Sequence, residues 1–183
     1  LLLNSGNQAK VKASDFPLLD LEGYIEIQSN VEIFALEDYF PTIPPADNIV
    51  ITGQDTAKTA NQTTVFPWLA YGKKDGIGVK TRYIFINAGS QGSGFSMTLE
   101  NLPSDVIFQK LSADFFLAPG EKITIDPKDA FGLSGGLATG SAVIENPKNL
   151  LGTVVFVYDS GAAGSLPLQI RPEADYSVGH IAE

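Results

Sequence analysis

The alternation of apolar and polar positions along the chain predicts a succession of strands. Phe95-Ser96-Met97-Thr98-Leu99-Glu100 alternates strictly, with Phe95, Met97 and Leu99 on one face and Ser96, Thr98 and Glu100 on the other. That is the pattern of a strand with one buried face. Lys122-Ile123-Thr124-Ile125-Asp126 and Tyr24-Ile25-Glu26-Ile27-Gln28 repeat it, the latter with Ile25 and Ile27 facing in. Tyr83-Ile84-Phe85-Ile86 and Val154-Val155-Phe156-Val157-Tyr158 are apolar on both faces, which predicts central strands covered twice. In 106–117, Val106-Ile107-Phe108 and Phe115-Phe116-Leu117 flank the polar Gln109-Lys110, giving two short strands around a bend.

Turn chemistry separates these runs at short intervals: Gly72-Lys73-Lys74-Asp75-Gly76, Asn87-Ala88-Gly89-Ser90, Asn101-Leu102-Pro103-Ser104-Asp105, Pro119-Gly120, the glycines of 132–136, and Asp159-Ser160-Gly161. No apolar stripe of helical period runs for ten residues or more. The combination predicts an all-β sandwich. Its expected core includes Phe66, Trp68, Tyr83, Phe85, Phe95, Met97, Leu99, Ile123, Ile125, Val143, Val155 and Phe156.

Length and charge refine the organisation. The 183 residues suffice for one sizeable domain or two small ones. Residues 1–62 carry nine acidic and three basic side chains, so they hold −6 of the net charge of −9. A polar, Pro- and Thr-rich connection fills 41–62, although Asn48-Ile49-Val50-Ile51-Thr52 within it reads as one more strand. We therefore divide the chain into an acidic β segment with its long connection (1–62), a β-sandwich domain (63–172) and a C-terminal tail (173–183). A shift of 117 residues superposes Gly23 on Gly140, Ile27 on Ile144, Ile33-Phe34-Ala35 on Leu150-Leu151-Gly152 and Tyr39 on Phe156 without gaps. Both stretches read as glycine, strand, polar turn and second apolar strand, a hairpin-like unit.

Phe66-Pro67-Trp68-Leu69, Thr81-Arg82-Tyr83-Ile84-Phe85-Ile86-Asn87-Ala88-Gly89, Phe116-Leu117-Ala118-Pro119-Gly120-Glu121-Lys122, Gly140-Ser141-Ala142-Val143 and Gly152-Thr153-Val154-Val155-Phe156 together resemble the repeat modules of secreted or cell-surface bacterial proteins. The resemblance covers 64–170, and 22–40 resembles the closing hairpin of a preceding copy. It implies a two-layer antiparallel immunoglobulin-like sandwich with an additional N-terminal hairpin, in an extracellular structural or adhesive role with no catalytic residues. The long 41–62 connection departs from the usual pattern. In that pattern Asn87 and Gly89 would serve as positive-φ turn residues, and Pro119 would set φ before Gly120 closes its turn.

Composition narrows the chemistry. Without cysteine there is neither a disulfide framework nor a Cys-ligated metal, and a net charge of −9 argues against nucleic acid as a partner. The lone histidine, His180, falls in the tail, far from any triad. Leu1-Leu2-Leu3 runs straight into Asn4-Ser5-Gly6, short of a signal core or a span; the start is read as a processed end, and no membrane insertion is expected. The glycine pairs at 76/78, 92/94 and 135/136 could cradle a phosphate only ahead of a helix, and none is expected there. Glu37-Asp38, Asp126 with Asp129, and Asp114 are the available carboxylates, read as solvated charges rather than a catalytic pair. Calcium is conceivable at Asp126-Pro127-Lys128-Asp129, although a cation stands among the ligands. Trp68, Tyr71 and Tyr83 form the aromatic set to weigh as a glycan platform against a role in the core. The expected activity is non-catalytic, with other copies of the chain or neighbouring modules as partners, and glycans as the alternative.

Overall fold

A computed structural model of the chain describes residues 36–39, 49–52, 63–161 and 163–170. Tyr24–Gln28, His180 and the tail lie outside these residues. Described elements all belong to one compact unit, Ile33–Glu183. They run in the order β1 (Leu36–Tyr39), β2 (Ile49–Thr52), β3 (Thr64–Lys74), β4 (Ile77–Asn87), β5 (Ser93–Glu100), β6 (Val106–Ile107), β7 (Ser112–Leu117), β8 (Lys122–Ile125), α1 (Pro127–Phe131), β9 (Ser134–Gly135), β10 (Ala138–Glu145), β11 (Leu150–Tyr158), β12 (Ala163–Pro167) and β13 (Gln169–Ile170). The architecture is all-β and sandwich-like, with antiparallel pairing throughout. No helix among the described residues is long and apolar enough to cross a membrane.

Pairing follows the order β12-β11-β4-β3-β10-β5-β7, with β13 also on β3 and β8 also on β4. The β1–β2 hairpin lies within 1–62, and its strand β2 is the one read from Asn48-Ile49-Val50-Ile51-Thr52; it runs beside β12. The segment 106–117 forms two short strands, β6 and β7, around a bend.

β3 joins the two halves of this order by changing partner. Its first part pairs with β10, and Gly72, Lys73 and Lys74 then pair with Val79, Gly78 and Ile77 of β4. Only Asp75 (φ 52°) and Gly76 (φ 86°) remain for the connecting turn, the positive-φ dipeptide that suits a two-residue hairpin. At Ala70, which still faces Thr139 of β10 just before β3 takes up β4, the buried Thr81 hydroxyl bonds the backbone groups on the β4 side. It accepts from Ala70 N–H (2.9 Å) and donates to Ala70 O (2.6 Å).

Opposite Ser141 the register slips, because Ala142 faces Phe66 while Gly140 faces Leu69. This bulge places Pro67, which has no N–H to give a ladder, beside Trp68. It also changes the phase of the strand, so Phe66 and Leu69, three residues apart, are both buried.

The core holds a row of touching rings. Tyr83 lies 5.1 Å from Phe66, Phe66 5.6 Å from Phe85, Phe85 4.7 Å from Phe95, and Phe95 5.3 Å from Phe115. Met97, Leu99, Ile125, Val154 and Phe156 complete it, and Trp68 and Ile123 pack against it half-buried. Val143 is buried as well. Val155 corrects the sequence expectation: in a strand only alternate residues face one way, and here Val154 and Phe156 point inward while Val155 is half-buried. The second faces of β4 and β11 are only partly covered, with Ile84 and Ile86 half-buried and Val157 exposed.

One helical turn interrupts the strands. Asp126 accepts Lys128 N–H (2.9 Å) as N-cap, Pro127 stands in the first turn where its missing N–H costs nothing, and Gly132 ends the turn at φ 68°.

Candidate functional site

The β3–β4 hairpin, β9 and the turn after β11 enclose an open cleft of about 350 Å³, lined by Tyr71, Gly72, Lys73, Gly78, Val79, Lys80, Gly135 and Asp159. Backbone geometry builds it. Asp159 N–H donates to Gly78 O (2.9 Å), and the Asp159 carboxylate lies over the Gly78 α-carbon, on ground that a side chain would occupy. Lys73 Nζ stands 3.9 Å from Asp159 Oδ2, with both side chains more than half exposed. Such a pair orders the cleft mouth but adds little stability.

Tyr71 is the most distinctive of these groups. Partial burial, the charge of Asp126 and a hydrogen bond to the Asp126 carboxylate push its phenol up to about 12. It therefore stays protonated near neutrality and acts as a donor. The lining offers the two ammonium groups of Lys73 and Lys80, a phenol whose one proton is given to Asp126 and whose oxygen can accept, and one carboxylate tied to Lys73. The ammonium groups can donate hydrogen bonds to hydroxyls or carboxylates, and the lining contains no nucleophile with an adjacent base.

Of the three aromatic residues singled out in the sequence, only Tyr71 lines this cleft. Trp68 is half-buried and meets Phe156 edge-on at 5.9 Å. Tyr83 is fully buried, so it presents no surface to a ligand. Burial drives its phenol pKa strongly upward, and its hydroxyl has no hydrogen-bond partner among the described residues. A buried hydroxyl without a partner opposes folding. Tyr83→Phe is thus expected to leave stability unchanged or raise it by about 1 kcal/mol, read as the urea midpoint. A clear loss would mean that the hydroxyl is bonded after all.

Asp126 and Asp114 make structural hydrogen bonds. Asp126 caps α1 and receives Tyr71, Asp129 sits in the first turn of α1, and Asp114 accepts Ser96 Oγ at 2.6 Å across β5 and β7. Glu37 and Asp38 lie on β1. Among the described residues no three His, Cys, Asp or Glu side chains are grouped to hold a metal ion. Of the glycine pairs, Gly76 belongs to the hairpin turn, Gly78 and Gly94 to strands and Gly135 to β9, and no helix follows any of them.

Sequence reasoning missed Asn87. Neither it nor Gly89 has positive φ; among the described residues that conformation falls instead to Asp75, Asn101, Asn146 and Asn149 and to six glycines, Gly120 included. Asn87 is a fully buried hub. Its Nδ2 donates to Gln91 O (2.7 Å) and Leu117 O (3.1 Å), and its Oδ1 accepts Gly89 N–H (2.9 Å). Its backbone bonds to Glu121 O (3.0 Å) and Gly120 N–H (2.9 Å), fastening the ends of β4, β7 and β8 together. An Asn closing an apolar strand was the available signal, but its partners lie up to 34 residues away.

Compared with family models, curated proteins and solved structures, the chain matches none.

Proposed function

We propose that the protein is a non-catalytic, extracellular structural module, a unit of a tandem array or of a self-assembled surface fibre, built on a two-layer immunoglobulin-like sandwich. The reading rests on the internal repeat. The shift of 117 lays β1 on Thr153–Phe156, the part of β11 that pairs with β12. β1 pairs antiparallel with the later strand β2, as that part of β11 pairs with the later strand β12. The repeat thus ends on a strand, β1, that is paired antiparallel like its counterpart in β11, and this supports a reading in which modules follow one another. Modules of this kind work by stacking and strand pairing.

Size-exclusion chromatography with light scattering, on the full chain and on a form lacking residues 1–40, tests the reading. The full chain is expected to build larger assemblies than the shortened form. A strictly monomeric full chain, or assembly size untouched by the deletion, would overturn it. The alternative, a glycan-binding module, rests on the ammonium donors and Tyr71 of the cleft and predicts glycan-array signals lost on Tyr71→Ala.

A further inference from the structure

The cleft beside the β3–β4 hairpin takes its shape from backbone rather than from long side chains. At Gly72 (φ 121°) an added Cβ would come within 2.5 Å of Gly136 O, and at Gly78 it would fall on the Asp159 carboxylate. Glycine at both positions lets β9 and the turn after β11 close against the hairpin, so the cleft is formed before any ligand arrives. Its volume of about 350 Å³ stands at the small end of ligand sites and suits a sugar unit better than a folded partner.

One wall of the cleft is a ring held in place. Tyr71 packs against the core, and its hydroxyl is engaged by Asp126, which itself caps α1. A ring fixed in this way loses little freedom when a ligand lies on it, and its negative face suits the polarised C–H edges of a pyranose. The charges of the lining do not cancel. Lys73 stands by Asp159, where one ammonium can give to, and one carboxylate accept from, neighbouring hydroxyls. Lys80, exposed on β4, forms no ion pair with the described residues and leaves the lining with one surplus positive charge.

We propose that the cleft binds a sugar unit carrying a single carboxylate, a uronic acid, with Lys80 on the carboxylate, Tyr71 under the ring and the Lys73–Asp159 pair on its hydroxyls. The net charge of −9 favours such a ligand over a polyanion. One carboxylate meets the surplus lysine, whereas a sulfated or phosphorylated chain would bring further negative charge onto an acidic protein. Apart from Val79 the lining offers no aliphatic side chain to receive the apolar residues of a peptide, which sets a sugar ahead of an acidic peptide. The inference rests on the glycan reading of the cleft and is independent of how the chain assembles.

Isothermal titration calorimetry of the full chain tests it with two trisaccharides, one ending in glucuronic acid and one in galacturonic acid, each beside its methyl ester. At least one acid is expected to bind about tenfold or more tighter than its ester, the worth of one charge-assisted hydrogen bond. That preference should shrink as salt rises from about 0.05 to 0.5 M. Lys80→Gln should erase the preference and leave the affinity for the ester as it is, and Tyr71→Ala should lose both ligands. Lys74→Gln, exposed on the same hairpin but outside the lining, should change neither. Because Lys80 is exposed, Lys80→Gln leaves folding intact and decides the matter even where Tyr71→Ala disturbs the core contact. Esters that bind as tightly as the acids, with binding lost on Tyr71→Ala, would overturn the inference and leave the glycan reading standing. Failure of all four ligands to bind would overturn it too, and only a silent glycan array would take the glycan reading with it. An acid preference that survives Lys80→Gln, or equally tight binding of a triglutamate peptide, would also overturn it.

Discussion

Phe85→Ala is expected to destabilise the protein by about 3–5 kcal/mol, the range for emptying a fully buried aromatic site. Phe85 is 0% exposed and touches both Phe66 and Phe95 in the ring row that runs from β3 through β4 to β5 and β7. Gly152 lies directly opposite it on β11, and a Cβ there would come within 3.1 Å of the Phe85 ring. The neighbouring backbone is therefore already as close as a glycine allows, and it has little room to collapse into the vacated space. Thermal melting followed by circular dichroism should show a fall of about 10–20 °C for a unit of this size. Phe85→Leu, which retains much of the volume, should cost clearly less. Equal losses for the two variants would mean that the row of rings does not organise the core.

The second large effect is expected at Asn87. Replacing it by Ala removes three side-chain hydrogen bonds at once and leaves Gln91 O, Leu117 O and Gly89 N–H without their partner. Each deserted group in a buried setting costs about 1–3 kcal/mol, and partial access of water at the 88–91 loop moderates the sum to roughly 3 kcal/mol. Asn87→Asp should fare nearly as badly, because a carboxylate can accept from Gly89 but cannot donate to two carbonyls. Urea denaturation measures both variants. Hydrogen exchange should show protection lost first at the β4 and β7 ends that Asn87 joins. A variant within about 0.5 kcal/mol of wild type would show that Asn87 is only a turn residue, as its Asn-x-Gly context suggests.

How much could be read ahead of the structure differs from element to element, for physical reasons. Phe95, Met97 and Leu99 are legible because alternation with Ser96, Thr98 and Glu100 marks both the strand and its inward face. In Val154-Val155-Phe156-Val157 the strand is equally plain, but a uniformly apolar run carries no phase. Pairing with β4 and β12, and a core reached through Val154 and Phe156, decide it. At Pro67 the signal was present, since proline inside a strand implies a bulge, and the bulge explains why Phe66 and Leu69 share the interior. The helical turn could likewise be traced to Asp126, Pro127 and Gly132, though it is too short to produce an apolar stripe. For the aromatic set the sequence allowed either fate. The structure buries Tyr83 and leaves Tyr71 at the rim of a cleft whose other walls come from three separate parts of the chain.

Local chemistry alone determined which segments extend and where they stop. Alternation and β-branched or aromatic residues make the strands, Asp75-Gly76 and Pro119-Gly120 make turns, and the net charge of −9 comes from composition. These depend on steric and hydration preferences that act within a few residues. Only the tertiary structure decided which face of an apolar strand lies inside, that Asn87 is a buried hub, and that β7 comes last in the pairing order of the described strands. Each of those depends on which distant atoms arrive to exclude water or to accept a hydrogen bond, and that is set by how the strands assemble.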